Sequence, residues 1–242
     1  VEWTKVRPSH WVDLKQVSRA AIGAVVVSED WAFYQHPGYD LEQIKKVLED
    51  DLSLSRGVEG LSRGASTITQ QMVKNVFLSR ERTLVRKVKE LILAVEVERR
   101  LGKAKILEVY LNIAEWGEGI YGIREAAQFY FHKSPKELSA KEGAFLAMLL
   151  PSPKRYSQSF RAKKLTHYAR KTTQDILSKM RQAKWITDEI HAAESARPLA
   201  FEVADAPDSK EESEEASPTV EDPSVPLAPE ELFEVPHDSP SE

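Results

Sequence analysis

Thr83-Leu84-Val85-Arg86-Lys87-Val88-Lys89-Glu90-Leu91-Ile92-Leu93-Ala94-Val95-Glu96-Val97-Glu98-Arg99-Arg100-Leu101 is the stretch on which the fold class turns. Its apolar residues Leu84, Val88, Leu91, Ile92 and Val95 follow the i, i+4, i+7 spacing of one helix face, so the segment predicts a helix. Arg86 and Lys87 stand four and three residues before Glu90 and share its face, which continues through the apolar Ala94 and Val97. Two readings of that triad are open. One is a solvated salt-bridged stripe, worth ~0.5 kcal/mol per pair. The other is an anion site in which two cations and a carboxylate converge on a charged leaving group.

Outward from this helix, helical signals run from residue 14 to about 192. Ser134-Pro135-Lys136-Glu137 and Ser139-Ala140-Lys141-Glu142 both read as capping boxes, and Pro151 stops the apolar run Phe145 to Leu150. A second long helix is predicted over Arg161 to Arg181. Ala24 to Val27 is a short β-branched run that suits a strand or a buried helix equally. The fold class is therefore mainly α, with no internal repeat.

The chain has 242 residues and 41% hydrophobic content, enough for one sizeable core or two small ones. It has no cysteine, which excludes disulfides, thiolate metal sites and a cysteine nucleophile. The six histidines lack metal-ligand spacing, so no metal site is assigned to them. From Ala204 to Glu242 there are 13 Asp/Glu against one Lys, a net of −12, so against the −4 of the whole chain residues 1–203 carry +8. Those last residues also hold seven of the 13 prolines, and 204–242 is expected to be a disordered acidic tail able to fold back over a basic domain. No run approaches the ~18 apolar residues of a membrane span. The chain opens on Val rather than Met, which suggests a removed upstream segment that could include an anchor.

Three further constellations carry candidate chemistry. In Glu29-Asp30-Trp31-Ala32-Phe33-Tyr34-Gln35-His36-Pro37-Gly38, positions 29, 33 and 36 are expected on one helix face that Pro37-Gly38 terminates. A Glu after Ala24-Val25-Val26-Val27 is partly desolvated and gains proton affinity toward that of a usable base, whereas the plainer reading is a solvated acidic pair at a helix end. Arg63-Gly64-Ala65-Ser66-Thr67-Ile68-Thr69-Gln70-Gln71-Met72-Val73-Lys74-Asn75 sets amides and an ammonium at a helix start. That arrangement suits sugar hydroxyls and a phosphate, or is an ordinary capped helix with a polar face. Lys103 to Asn112, then Trp116-Gly117 and Leu150 to Tyr156, read mostly as core. Asn112 and the loop residue Arg155 are the positions where functional side chains tend to be presented.

Taken in order, these motifs resemble the peptidoglycan glycosyltransferase family: the monofunctional biosynthetic peptidoglycan transglycosylases and the glycosyltransferase module of class A penicillin-binding proteins. The likeness spans about Leu14 to Tyr156. It implies a lysozyme-like helical domain over residues 1–203, with a smaller membrane-facing lobe at about 41–63. The alternating charges of that segment, with Glu49-Asp50-Asp51 at its middle, argue against deep insertion. The implied reaction polymerises lipid II into glycan strands by inverting transfer with release of polyprenyl pyrophosphate.

On matching positions, Glu29 is implied as the general base and Glu90 as the second catalytic carboxylate. Ser66, Gln70, Gln71, Lys74, Asn75, Arg86, Lys87 and Arg155 are implied as substrate-binding residues. No cofactor is required, although a divalent cation, magnesium or manganese, could join at the pyrophosphate. Implied partners are lipid II, the growing glycan strand, the outer face of the cytoplasmic membrane, and cell-wall synthesis or division proteins, with no nucleic acid. The implied location is the periplasmic side of that membrane, with the anchor upstream of Val1. The alternatives are a lysozyme-like muramidase, which would not need Lys74, Arg86 and Lys87 near an uncharged glycan, and a non-catalytic adaptor, which would not need two buried carboxylates.

Overall fold

The computed structural model describes residues 8–40, 66–78 and 84–202; the expected lobe at 41–63, the expected tail at 204–242 and the Arg63 to Ala65 part of the second constellation lie outside them. The described chain is mainly helical, as the periodicity predicts. Helix α1 (Arg19–Glu29) starts at Ser18, whose hydroxyl accepts the Ala21 N–H at 3.0 Å, and it buries every residue from Ala21 to Val27. The run Ala24 to Val27 is thus helix. Its residues are at most 3% exposed, so its three valines find packing partners on all sides and no strand neighbour is needed.

Helices α2 (Ile68–Phe77) and α3 (Leu84–Ile113) pack against each other. A two-stranded antiparallel hairpin, β1 (Glu115–Gly117) and β2 (Ile120–Tyr121), leads into α4 (Ile123–Phe131). Helix α5 (Ala140–Leu149) opens on the Ser139–Glu142 capping box and is buried along its whole length. Two short turns, α6 (Pro153–Tyr156) and α7 (Gln158–Arg161), precede α8 (His167–Gln182) and α9 (Asp188–Ala196). No helix among the described residues is long and apolar enough to cross a membrane.

Helix α5 lies in the middle, against α1 and α8. Gly143 permits the approach to α1: a Cβ there would sit 2.7 Å from the Cα of Ala21. Backbone cannot swing aside as a side-chain tip can, so overpacking outweighs the ~1 kcal/mol that Ala gains over Gly in helix propensity. Gly143→Ala is expected to lower the melting temperature by a few degrees, and an unchanged or higher value would show that α1 and α5 can separate freely.

Three local expectations need correction. The chain leaves helix at Glu29, with Asp30 at φ −161°, so residues 29, 33 and 36 do not share a helix face. The second long helix begins at His167 rather than Arg161, because Thr166 caps it and Lys163, at φ 54°, breaks the chain direction before it. Ser134–Glu137 caps only a 3-10 turn, Pro135–Glu137.

In α3 the shared face is found as the spacing predicts, and the structure adds which way it points. Of the predicted stripe, Val88, Ile92 and Val95 are 57%, 64% and 41% exposed, whereas Glu90 and Ala94 are 2% and 0% exposed. The helical period groups these residues correctly, but the packed face is the one carrying Glu90, and the apolar stripe points outward.

Gly102 interrupts α3 at φ 71°, ψ 164°, a conformation open to glycine and strained for other residues. Beyond it, Asn112 is 7% exposed; its Oδ1 accepts the Val12 N–H at 2.8 Å, and its Nδ2 donates to Val12 O at 2.8 Å and Glu108 O at 2.7 Å. Its amide is therefore committed to holding residue 12 against α3, not presented to a ligand. Glu108 completes the clasp by accepting from Trp11 Nε1 and the Leu14 N–H.

Candidate active site

Glu29 ends α1 where the buried run Ala21 to Val27 delivers it, half-buried, beside the start of α2. That start is held by its neighbour. Asp30 is 2% exposed and accepts from the Ile68 N–H at 2.9 Å, satisfying a donor in the first turn of α2, while His36 Nε2 lies 2.8 Å from its Oδ1. Thr67 caps the same helix, and its hydroxyl also donates to Gly38 O at 2.8 Å. The turn 30–38 thereby fixes α2 against the end of α1.

The two glutamines of α2 separate in role. Gln70 is 1% exposed, and its Oε1 accepts the Thr67 N–H at 3.0 Å in a capping box. Gln71 donates from Nε2 to Glu29 Oε2 at 2.9 Å and to Ser66 O at 3.3 Å, and its Oε1 accepts from the Tyr110 hydroxyl at 3.0 Å. Ser66 precedes the Thr67 cap. It bridges, since its hydroxyl accepts from Lys87 Nζ at 2.9 Å.

Lys87 Nζ also reaches Glu90 Oε1 at 2.6 Å, and Arg86 Nη1 reaches Glu90 Oε2 at 3.0 Å. Glu90 is 2% exposed, so the triad is not a solvated stripe. A continuous hydrogen-bonded path thus joins Glu29, Gln71, Ser66, Lys87, Glu90 and Arg86.

The electrostatics divide the two ends of this path. Burial pushes the Glu29 carboxyl up to about 7; the Gln71 hydrogen bond opposes this, Asp30 adds to it, and Lys74 opposes it. Lys74 is exposed as a residue, but burial of its ammonium lowers its pKa, and Glu90 and Glu29 pull it back up while Arg86 and Lys87 lower it further. Lys74 therefore feels both carboxylates. Asn75 is exposed on the next position of α2. Arg155 is exposed on α6, with its guanidinium 5.9 Å from the Tyr156 ring centroid, and no described contact joins it to the Glu29–Glu90 path.

Sequence reasoning passes over several residues that the fold recruits. Asp30 and His36 hold the turn, and Tyr110, on the far part of α3, reaches Gln71 from 39 positions away. Glu98 and Lys103 tie the Gly102 break to this turn, with Lys103 Nζ donating to Glu98 Oε1 at 2.6 Å and to His36 O at 2.7 Å. No spacing rule signals such long-range partners.

A family model described as Transglycosylase matches residues 1–181. A biosynthetic peptidoglycan transglycosylase of Brucella suis biovar 1 (strain 1330) is 47% identical over 59% of this chain and 62% of its own length. Proteins of the same description from Shewanella frigidimarina (strain NCIMB 400) and Nitrosomonas eutropha (strain DSM 101675 / C91 / Nm57) are 50% and 38% identical, covering 60% and 72% of this chain and 62% and 68% of their own lengths. The chain thus spans about 62% of the length of the Brucella and Shewanella relatives. Among solved structures, penicillin-binding protein 1A from Haemophilus influenzae is 26% identical over 55% of this chain and 16% of that one, with a TM-score of 0.35.

Proposed function

We propose, from the premise that this chain belongs to the transglycosylase family, that it is a peptidoglycan glycosyltransferase polymerising lipid II into glycan strands at the outer face of the cytoplasmic membrane. The observation that carries this reading is the pairing of a desolvated carboxylate, Glu29, with a buried carboxylate, Glu90, that is clamped by two cations, and with Lys74 sensing both.

The two ends suit different halves of one transfer. Glu29 takes the proton of the acceptor sugar 4-hydroxyl as its oxygen forms a bond to the anomeric carbon of the donor, and its raised proton affinity matches a base working near neutral pH. The bond from that carbon to the pyrophosphate oxygen breaks, and its electron pair leaves with the pyrophosphate. Attack opposite the leaving group inverts the centre. Lys74, Arg86 and Lys87 neutralise the charge that develops, while Glu90 orients the latter two. Ser66, Gln70, Gln71, Asn75 and Arg155 complete the binding set of this reading, with Gln70 acting through the cap it builds.

The donor set does not fit a divalent cation held by the protein. Both Glu90 oxygens are taken by Arg86 and Lys87, and Glu29 shares one oxygen with Gln71. Magnesium or manganese would reach the site with the pyrophosphate. The exposed apolar stripe of α3, with Val76 and Phe77 ending α2, supports a site that works at a lipid surface, where the polyprenyl chain of the substrate stays buried.

Incubation with labelled lipid II in detergent tests the reading: glycan polymer is expected. Degradation of pre-made polymer would assign a hydrolase instead, and neither reaction would leave a precursor-binding adaptor. The anion site has its own test. Lys74→Ala and Arg86→Ala should each weaken binding of the phosphoglycolipid moenomycin by roughly 10- to 100-fold, since a charge-assisted contact is worth ~1.5–3 kcal/mol. Unchanged affinity in both variants would remove these cations from the site.

A further inference from the structure

Tyr110 lies in the core, 1% exposed, on the part of α3 beyond the Gly102 break, and yet its hydroxyl is spent on a side chain that touches Glu29. Both hydrogens of the Gln71 amide are committed. Its Nε2 has two hydrogens and two acceptors, Glu29 Oε2 at 2.9 Å and Ser66 O at 3.3 Å, and its Oε1 has one donor, the Tyr110 hydroxyl at 3.0 Å. Turning the amide over would set Oε1 against a carboxylate and a carbonyl. That arrangement becomes tolerable only when Glu29 is protonated and can itself donate.

We propose that Tyr110 is a positioning residue of the active site, whose hydroxyl holds the Gln71 amide with its N–H side toward Glu29. The inference rests on Glu29 being the base. It assigns to Tyr110 the choice between two states of the site: an ionised Glu29 facing N–H, ready to accept a proton, and a protonated Glu29 facing C=O, which cannot. A buried tyrosine suits this task, because burial and the negative charges of Glu29 and Asp30 raise its own proton affinity well above the ordinary value and keep the hydroxyl protonated, able to donate to Gln71 Oε1. The groups acting on Glu29 are Gln71 and Lys74 from α2, Asp30 next along the chain, and Tyr110 through Gln71. Gln71 is the only hydrogen-bond donor to the Glu29 side chain among the described residues, so it is the point at which α3 can set the behaviour of the base.

The test reads Glu29 itself, without substrate. In the full chain carrying 13C-carboxyl glutamate, with the Glu29 signal assigned by its loss in Glu29→Gln, the wild-type midpoint is expected at about pH 7. Tyr110→Phe, which keeps the ring in the core, should move that midpoint up by about one unit, a tenfold gain in proton affinity. Gln71→Leu should also move it up, and adding Tyr110→Phe to Gln71→Leu should change it no further. A Tyr110→Phe midpoint equal to that of wild type overturns the proposal. So does a Tyr110→Phe shift that persists undiminished in the Gln71→Leu background, which would mark a purely structural role. Should Tyr110→Phe fail to fold, Gln71→Leu decides alone, because an unmoved midpoint there removes the link on which Tyr110 acts. In lipid II polymerisation the acid limb of the Tyr110→Phe pH profile should shift in parallel. A wild-type protein that makes no polymer but shows these titrations would refute the proposed function and leave the positioning role standing.

Discussion

Glu29→Gln is expected to cut lipid II polymerisation by about 10²–10⁴-fold while making the folded protein more stable above neutral pH. The loss of rate follows from the amide, which matches the carboxylate in shape and cannot take the acceptor proton. The gain in stability follows from the sign of the titration. The folded state holds a proton on Glu29 up to about pH 7, whereas an ordinary carboxyl releases it near 4.5, so between these values the folded protein binds more protons than the unfolded chain. Stability is therefore fully present below pH 4.5 and is lost as pH rises through 7. A shift of this size corresponds to at most about 3 kcal/mol, which Gln would recover at pH 8 and leave unaltered at pH 4. Urea unfolding of both proteins at the two pH values measures it. A Glu29→Gln protein less stable than wild type at pH 8 would show that the carboxylate is well solvated, and wild-type turnover would remove Glu29 from the reaction.

Glu90→Gln is expected to act in the opposite direction on stability while also lowering the rate by at least about 10²-fold, comparable to losing one preorganised charge-stabilising group. Glu90 is 2% exposed and holds Arg86 and Lys87, whose side chains are 16% and 30% exposed. Removing its charge takes the shared carboxylate from both cations, and breaking a buried pair costs ~3–5 kcal/mol. The partial exposure of the cations places this variant at the lower end, about 3 kcal/mol. Thermal unfolding at pH 8 should then rank Glu29→Gln above wild type and Glu90→Gln below it. Equal stability and unchanged polymerisation in Glu90→Gln would return the triad to a simple salt-bridged stripe.

The contrast between these carboxylates was partly written in the chain. Local sequence determined what depends on near neighbours. Ser139 and Glu142 set the start of α5 and Pro151 follows its end, the apolar run Ala24 to Val27 leads a buried helix up to Glu29, and the spacing of Arg86, Lys87 and Glu90 places three charges on one helical face. The ordered motifs also identified the family, over about Leu14 to Tyr156. Helical dihedrals, caps and i, i+4 pairs are decided within about one turn of chain, so they are legible without a fold.

Tertiary structure alone decided which way those faces point and which neighbour uses which group. The α3 period fits either orientation of the helix, and only packing against α2 turned Glu90 and Ala94 inward and the valine stripe out. Gln70 and Gln71 are chemically identical, yet one is consumed by the Thr67 cap and the other reaches Glu29, because they lie about 100° apart around α2. The strands at Glu115–Gly117 and Ile120–Tyr121 are too short to show a period. Asn112 and Tyr110 sit two residues apart on the same helix, and contacts 100 and 39 positions away made the first a clasp for Val12 and the second a support for Gln71. The physical reason is common to all of these: a hydrogen bond or a buried contact is set by distance in space, and sequence spacing predicts that distance only over a turn or two of helix.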